Sequence, residues 1–87
     1  MPGVSRVGVD SAGGTISGPG VPSVIVNGAP ISVKGDAVAG HGTGLHAGPV
    51  MVGSSGTVFA DGIGVVRAGD AASCGDAATG SSDVIAG

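Results

Sequence analysis

Short apolar runs, broken by turn residues, follow one another along this chain. Apolar residues stand on both sides of Asn27-Gly28 within residues 24–33, and on both sides of Asp61-Gly62 within residues 58–66. Two-residue Asn-Gly and Asp-Gly connections favour type I′ turns, whose central residues both need positive φ. The pattern therefore predicts two β-hairpins. Glycine and β-branched residues interrupt every window long enough for three helical turns, so little or no helix is expected.

The two predicted hairpins belong to an internal repeat. Residues 24–36 align with residues 58–70, and each copy ends in Gly-Asp, whose carboxylate we expect to accept hydrogen bonds from loop amides. Residues 4–10 resemble the end of this unit and residues 80–87 resemble its start. The repeat therefore predicts an all-β cone of three hairpins around a pseudo-threefold axis, with the terminal segments paired. A linear solenoid is the competing arrangement, but the capping repeats that it usually needs are missing.

Length and composition limit how this fold can be stabilised. The 87 residues are expected to form one domain, residues 1–87, and a chain of this size buries only about 60–65% of its unfolded surface. Twenty residues are glycine, Phe59 is the single aromatic residue, and one cysteine excludes an intrachain disulfide. A small core of this kind needs a metal or a partner. Low charge and positive mean hydropathy argue against a disordered chain.

Charge and motif content exclude several function classes. The net charge is −3 and the cations are Arg6, Lys34 and Arg67, so no basic patch indicates nucleic-acid binding. No apolar run approaches a membrane span, and the N-terminus lacks the basic and apolar regions of a signal peptide, so export by a signal peptide is not expected. Residues 53–56 are one residue short of a Gly-x-Ser-x-Gly motif. The small chain leaves little room for a substrate cleft, so neither an enzyme nor a small-molecule substrate is expected.

Candidate metal ligands follow the two Gly-Asp pairs. His41 and His46 lie in the loop after the first pair, and Cys74 lies at the matching place after the second. The repeat brings these loops together, and imidazole with thiolate is a ligand set that Zn²⁺ prefers. Asp76 is the nearest candidate for a fourth ligand, and Asp10 is another. The alternative is that the histidines are surface groups and the cysteine is a buried structural side chain.

Four segments of the chain resemble PAAR-repeat proteins, namely residues 20–30, 53–62, 66–70 and 74–87. The resemblance extends over essentially the whole chain, although Pro-Ala-Ala-Arg itself is absent. It implies a small β-structured cone that caps the blunt end of a homotrimeric β-helical spike, one cap per trimer. Such a cap sharpens the spike of a contractile phage tail or a type VI secretion needle, so the expected location is the virion tail tip or the needle tip. The resemblance further implies that the cap is made in the bacterial cytoplasm without a signal peptide and that it contacts the target membrane only transiently.

The same resemblance implies a zinc ion near the apex of the cone. The family commonly uses three His and one Cys, whereas this chain offers His41, His46 and Cys74. Asp76 stands where a histidine often follows Cys-Gly, so the fourth ligand is Asp76, water or another group, and iron is an alternative metal. A second functional hypothesis is a small metal-binding or metal-delivery module that has no spike partner.

Overall fold

The computed structural model describes residues 2–86, and Met1 and Gly87 lie outside the described residues. Within this range the secondary structure is short strands and one 3₁₀ turn, so the all-β prediction is confirmed. No helix in this range is long and apolar enough to cross a membrane. The elements are β1 (Ser11–Ala12), β2 (Gly14–Gly18), β3 (Val21–Val26), β4 (Ala29–Ile31), β5 (Ala37–Val38), the 3₁₀ turn (Gly44–His46), β6 (Phe59–Ala60) and β7 (Ile63–Gly64).

Two of the hairpins form where the turn residues predict them. Antiparallel β3 and β4 are joined by Asn27 and Gly28, which have φ of 51° and 84°. Antiparallel β6 and β7 are joined by Asp61 and Gly62, with φ of 53° and 77°. Asn, Asp and Gly tolerate this left-handed backbone better than other residues. The type I′ prediction is confirmed for both hairpins.

The third hairpin is made from the two ends of the described chain. The Val4 amide donates to the Val84 carbonyl oxygen at 2.8 Å, and the Ala86 amide donates to the Pro2 carbonyl oxygen at 3.0 Å. Gly3 and Ile85 face each other between these two bonds. The predicted pairing of the terminal segments is therefore confirmed for residues 2–4 and 84–86, whereas Gly87 lies outside the described residues.

A closed ring of backbone hydrogen bonds surrounds the pseudo-threefold axis. The Ser5 amide donates to Val66 O at 2.8 Å, the Val66 amide to Ser32 O at 2.9 Å, and the Ser32 amide to Ser5 O at 2.9 Å. All three residues are fully buried. They occupy equivalent positions in the three copies, because their neighbours form equivalent bridges: Arg6 with Ile31, Val33 with Val65, and Arg67 with Val4. Since the last copy bonds to the first, the fold is a closed ring and not a solenoid.

Two apolar clusters lie on either side of this ring. The first gathers residues from the three hairpins and defines what we call the hairpin end: Val4, Val21, Val26, Ile31, Val33, Ala60, Val65 and Ala86. The second gathers residues from the loops that follow each Asp, together with Val66 of the ring, and defines the loop end: Ala12, Ile16, Val38, Met51, Val66, Ala72 and Ala78, with Cys74 packed against it. The core is therefore two small layers and contains no buried aromatic side chain.

Each copy passes from the ring to the loop end through a Gly-Asp turn. The turn glycines have φ of 78°, 94° and 91°, and they are Gly8, Gly35 and Gly69. The carboxylates accept backbone amides as predicted: Asp10 from Arg6, Asp36 from Val33, and Asp70 from Arg67. The side chain of Arg67 adds to the turn at Asp70. Its guanidinium is bonded to both carboxylate oxygens of Asp70, and buried Val33 occupies the equivalent position in the second copy.

Candidate metal centre

Four side chains from two loops converge at the loop end. His41 and His46 come from the loop of residues 37–50, and Cys74 and Asp76 come from the loop of residues 71–77. Each offers one ligand atom, and all four atoms lie within 4.8 Å of one another. These loops are equivalent in the repeat and start from the Gly-Asp turns. The structure therefore brings together the four residues that the sequence nominated.

The longer loop is folded so that both of its imidazoles face the same point. The 3₁₀ turn at Gly44–His46 reverses the chain, and the positive φ of Gly44, 61°, allows this reversal. The His41 amide then donates to the His46 carbonyl oxygen at 2.8 Å, which closes the loop. The two ring centroids lie 4.9 Å apart in an edge-to-face arrangement.

The shorter loop is a tight turn that presents Cys74 and Asp76 on one side. Gly75 between them has φ of 91°, and its amide donates to Ala72 O at 2.9 Å. The Ala72 amide in turn donates to Asp76 O at 2.9 Å, so the two candidate ligands are held within one closed turn. The Ser73 amide donates to Val50 O at 2.7 Å and ties this turn to the longer loop.

The spacing of the four atoms is close to that of a tetrahedral zinc site. His41 Nε2 lies 2.7 Å from Asp76 Oδ2 and 3.0 Å from His46 Nδ1, and His46 Nδ1 lies 3.4 Å from Asp76 Oδ2. Cys74 Sγ lies 3.5 Å from Asp76 Oδ2 and 3.8 Å from His41 Nε2. Around a four-coordinate zinc, N and O ligands are about 3.3 Å apart and sulfur is about 3.6 Å from them, given the usual bond lengths. The donor set therefore suits a zinc ion, and shifts of about half an ångström would bring the His41–Asp76 and His41–His46 distances to tetrahedral values.

His41 is oriented for coordination by a backbone carbonyl. Its Nδ1 lies 3.0 Å from Ala39 O, and donation from Nδ1–H leaves the lone pair of a neutral imidazole on Nε2. That lone pair faces the Asp76 carboxylate, which is also a hydrogen-bond acceptor. Because two acceptors repel each other, a proton or a metal ion is needed between them. The bonds to Ala39 O and to Asp76 raise the pKa of His41, because they favour its protonated form. A metal ion at this point would replace that proton.

Asp76 is held in its charged form. Hydrogen bonds from His41 and then from the Cys74 thiol lower the pKa of its carboxyl group. The side chains of His46 and Asp76 are 41% and 39% exposed, whereas that of His41 is 19% exposed. The cluster therefore has an inner side at His41 and an open side at His46 and Asp76, by which an ion can enter.

Asp10, the alternative fourth ligand, is not part of the cluster. It is buried, and its carboxylate accepts hydrogen bonds from the Arg6 guanidinium at 2.8 Å and from the Thr79 hydroxyl at 2.8 Å. The expectation that it is available to a metal is wrong, because these donors already occupy both of its oxygens. Sequence reasoning also missed Ala39, whose carbonyl orients His41. Ala39 lies two residues before His41, but this spacing alone does not show that its carbonyl bonds to the imidazole. The bond depends on the conformation of the loop.

The comparison with known families agrees with this architecture. A family model described as the PAAR motif matches residues 9–78, most of the chain. The chain belongs to the PAAR motif family. A search of curated proteins finds no match. PAAR membership implies a spike-tip role in a contractile injection or type VI secretion system, and the family is structural and not known as enzymatic.

The resemblance to PAAR proteins aligns their eponymous motif with residues of the central ring. Residues 30–33 and residues 64–67 are these positions here, and they contain Ser32 and Val66 of the hydrogen-bonded ring. Arg67 keeps the arginine of the motif, and it secures the Gly-Asp turn through Asp70. The PAAR motif therefore marks the joint between the hairpin end and the loop end, and not the candidate metal ligands.

Proposed function

We propose that this PAAR chain, residues 1–87 as one domain, is a structural cap on the blunt end of a homotrimeric β-helical spike. One cap sits on each trimer and sharpens it for piercing by a contractile phage tail or a type VI secretion needle. Its place of action is then the virion tail tip or the needle tip, where it contacts the target membrane only transiently. No bond is made or broken by the cap, and no catalytic residue is assigned.

A threefold set of exposed apolar residues carries this proposal. Each hairpin presents two adjacent apolar side chains, followed by a buried small one. The first of each pair is 37–38% exposed and the second is 54–57% exposed. The pairs are Val24 with Ile25, Val58 with Phe59, and Val84 with Ile85. Three large apolar pairs left in solvent at equivalent positions indicate a partner that has equivalent sites at the same three positions.

Burial of these side chains against a partner would contribute to a stable contact. Full burial of a large apolar side chain contributes about 1.5–3 kcal/mol before the cost of association is subtracted. Since the hairpins also carry short strand edges, a partner with β-strands at its end can cover both the apolar side chains and these edges. A trimeric β-helix offers three such strand ends around one axis.

Zinc at the loop end is the second part of the proposal. We propose that His41, His46, Cys74 and Asp76 hold it in a four-coordinate structural site. The ion would link two loops that share few apolar contacts, and it would supply the stabilisation that the small core lacks. A site with four protein ligands suits a structural role better than catalysis, which requires an open coordination position.

The test of the cap is a binding experiment with the purified β-helical spike trimer from the same organism. The wild-type chain should elute with the trimer at one copy per three spike chains. The variant Ile25→Ser, Phe59→Ser, Ile85→Ser should lose this complex. Leu45→Ser is the matched control, because Leu45 is 70% exposed but lies at the loop end. Retention of the complex by the triple variant would contradict the docking surface.

The rival function is a metal-binding or metal-delivery module, and the candidate metal cluster with its open side favours it. A carrier should exchange zinc quickly with a chelator and should form no complex with the spike trimer. A structural cap should keep its zinc for much longer than the exchange time of an exposed site. Measuring zinc release together with the elution experiment separates the two functions.

A further inference from the structure

The first loop, residues 11–15, supplies no ligand but lies against the candidate metal cluster. A Cβ atom built on Gly13 would fall 2.2 Å from Asp76 Oδ2 and 2.5 Å from His41 Nε2. These distances are far below any real Cβ contact, so a side chain here would have to displace the His41 imidazole or the Asp76 carboxylate. The main chain of Gly13 therefore packs directly on two of the four candidate ligand atoms.

The next residue covers the other end of the same imidazole. A Cβ atom on Gly14 would fall 2.2 Å from the Ala39 carbonyl oxygen and 2.9 Å from His41 Nδ1. These two atoms form the hydrogen bond that orients the ring. Gly13 and Gly14 together thus follow the length of the His41 ring, from its ligand nitrogen to its supporting carbonyl.

We infer that Gly13 and Gly14 form a closed wall of the metal site and make the first loop a third, non-ligating part of it. This inference rests on the proposed zinc site. The wall leaves no room for a water ligand on its side, so it favours a four-coordinate ion. It also means that zinc holds all three loops, two through their side chains and one through contact with the glycines.

The first loop is tied to the longer ligand-bearing loop and to the segment that directly follows the shorter one, so a displacement of the glycines would reach both. The Ala39 amide donates to Thr15 O at 2.8 Å, and the Thr79 amide donates to Ser11 O at 2.8 Å. A side chain at Gly13 or Gly14 must push the first loop outward or push His41 away from its position. Either movement separates the ligand atoms.

Alanine variants test the wall with matched controls. Gly13→Ala and Gly14→Ala should weaken Zn²⁺ binding about 10- to 100-fold, the range seen when groups that support metal ligands are changed. Gly8→Ala is the control for backbone strain: its φ is 78°, close to the 84° of Gly13, but a Cβ there meets nothing within 4 Å. Gly14 lies outside the positive-φ region, so Gly14→Ala tests the contact without the added strain of a left-handed backbone. Affinity is measured by competition with a chromophoric chelator.

Two further readouts keep the test informative if a variant folds poorly. Co²⁺ loaded into the wild-type chain should give the intense visible absorption of a four-coordinate ion, and Gly13→Ala should weaken it. Amide exchange of the wild-type chain should slow at residues 11–15 when Zn²⁺ is added, but remain unchanged at the turn of Asn27 and Gly28.

The outcomes separate this inference from the proposed zinc site. If the wild-type chain binds no Zn²⁺, both fail. If it binds Zn²⁺ but exchange at residues 11–15 is unaffected, or if Gly13→Ala and Gly14→Ala bind as tightly as Gly8→Ala, the wall is overturned and the four-ligand site stands. Weaker binding by the first two variants alone, together with slower exchange in the first loop, supports the wall.

Discussion

The hairpin end and the loop end follow the same threefold plan, but only the hairpin end keeps it in detail. The exposed apolar pairs of the three hairpins match closely: the second residue of each pair, Ile25, Phe59 or Ile85, is 57%, 57% or 54% exposed. The loops have different lengths, residues 11–15, 37–50 and 71–77, and their candidate ligands come from two of the three. A threefold partner requires equivalent contacts, whereas a single four-coordinate ion has no use for threefold symmetry. The two ends therefore keep or lose the repeat in the way that the proposed trimeric partner and the proposed ion would require.

The two ends also differ in what stabilises them. The hairpin-end cluster contains five Val residues and Ile31 among its eight members, whereas three of the seven members of the loop-end cluster are alanine. Smaller side chains bury less apolar surface and contribute less free energy. The loop end should consequently depend on the metal, and the hairpin end should not.

Removal of the metal is expected to have the largest effect. A chelator should lower the free energy of unfolding by several kcal/mol, less than the about 10–16 kcal/mol of zinc-finger peptides, because the hairpin-end core persists without metal. Amide exchange should speed up at residues 37–50 and 71–77, while the ring amides of Ser5, Ser32 and Val66 stay protected. His46→Ala is the control, since it should be insensitive to the chelator. Equal loss of amide protection at both ends would contradict the expectation that only the loop end depends on the metal.

Substitutions that create cavities in the two apolar clusters should have the next largest effect on stability. Ile16→Ala at the loop end and Ile31→Ala at the hairpin end should each cost about 2–5 kcal/mol, because both side chains are buried. Urea unfolding measures this cost, and Ile63→Ala, at a side chain that is 42% exposed, is the control that should cost much less. Only Ile16→Ala should also weaken zinc binding. If Ile31→Ala weakens it equally, the two layers behave as one unit.

The hairpins were predictable because their determinants are local. Asn27-Gly28 and Asp61-Gly62 specify their turns by backbone preference, and the terminal hairpin follows from the repeat once two copies are recognised. The central ring was not predictable in the same way. Ser5 and Ser32 are polar and would ordinarily be assigned to the surface, but their backbone groups bond around an axis that exists only after the ring has closed.

The candidate site was predictable as far as its ligand types and loop positions. Asp76 was nominated because it is two residues from Cys74, and the turn at Gly75 brings both to one point. Asp10 was wrongly kept as an alternative, although Arg6 four residues earlier was the signal that its carboxylate has a partner. Gly13 and Gly14 could not be recognised from the sequence. A glycine is needed at these positions because atoms of other loops lie where a Cβ would be, and only the folded structure shows those atoms.

Acid should weaken the first Gly-Asp turn, which joins the two ends. Burial alone would raise the pKa of Asp10, but hydrogen bonds from Arg6 and Thr79 outweigh it and lower that pKa. A carboxyl with a lowered pKa in the folded state stabilises above its unfolded pKa of about 3.9, and this stabilisation is lost as the pH falls through the folded value. Asp10→Asn should therefore cost about 1–2 kcal/mol at pH 7. Its difference from wild type should shrink below about pH 4.

Urea unfolding of the wild-type chain and Asp10→Asn at pH 7, 4 and 2.5 measures this dependence. The comparison between the two chains cancels contributions from other carboxyl groups, provided that the metal is removed from both. Asp61→Asn is the control: Asp61 is exposed in a hairpin turn, and asparagine occupies the equivalent position as Asn27. A difference that stays constant down to pH 2.5 would mean that the Asp10 charge does not contribute to stability.

The smallest expected effect tests the equivalence of the hairpins themselves. Gly28 and Gly62 have φ of 84° and 77°, and a Cβ on either would meet nothing within 4 Å. Alanine at each position should therefore cost only the strain of a left-handed backbone, about 1–2 kcal/mol, and the two costs should agree within about 0.5 kcal/mol. Neither variant should change zinc affinity, because both turns lie at the hairpin end. Thermal unfolding measures the loss of stability, and chelator competition measures the zinc affinity. Unequal losses of stability would show that the two hairpins are not equivalent.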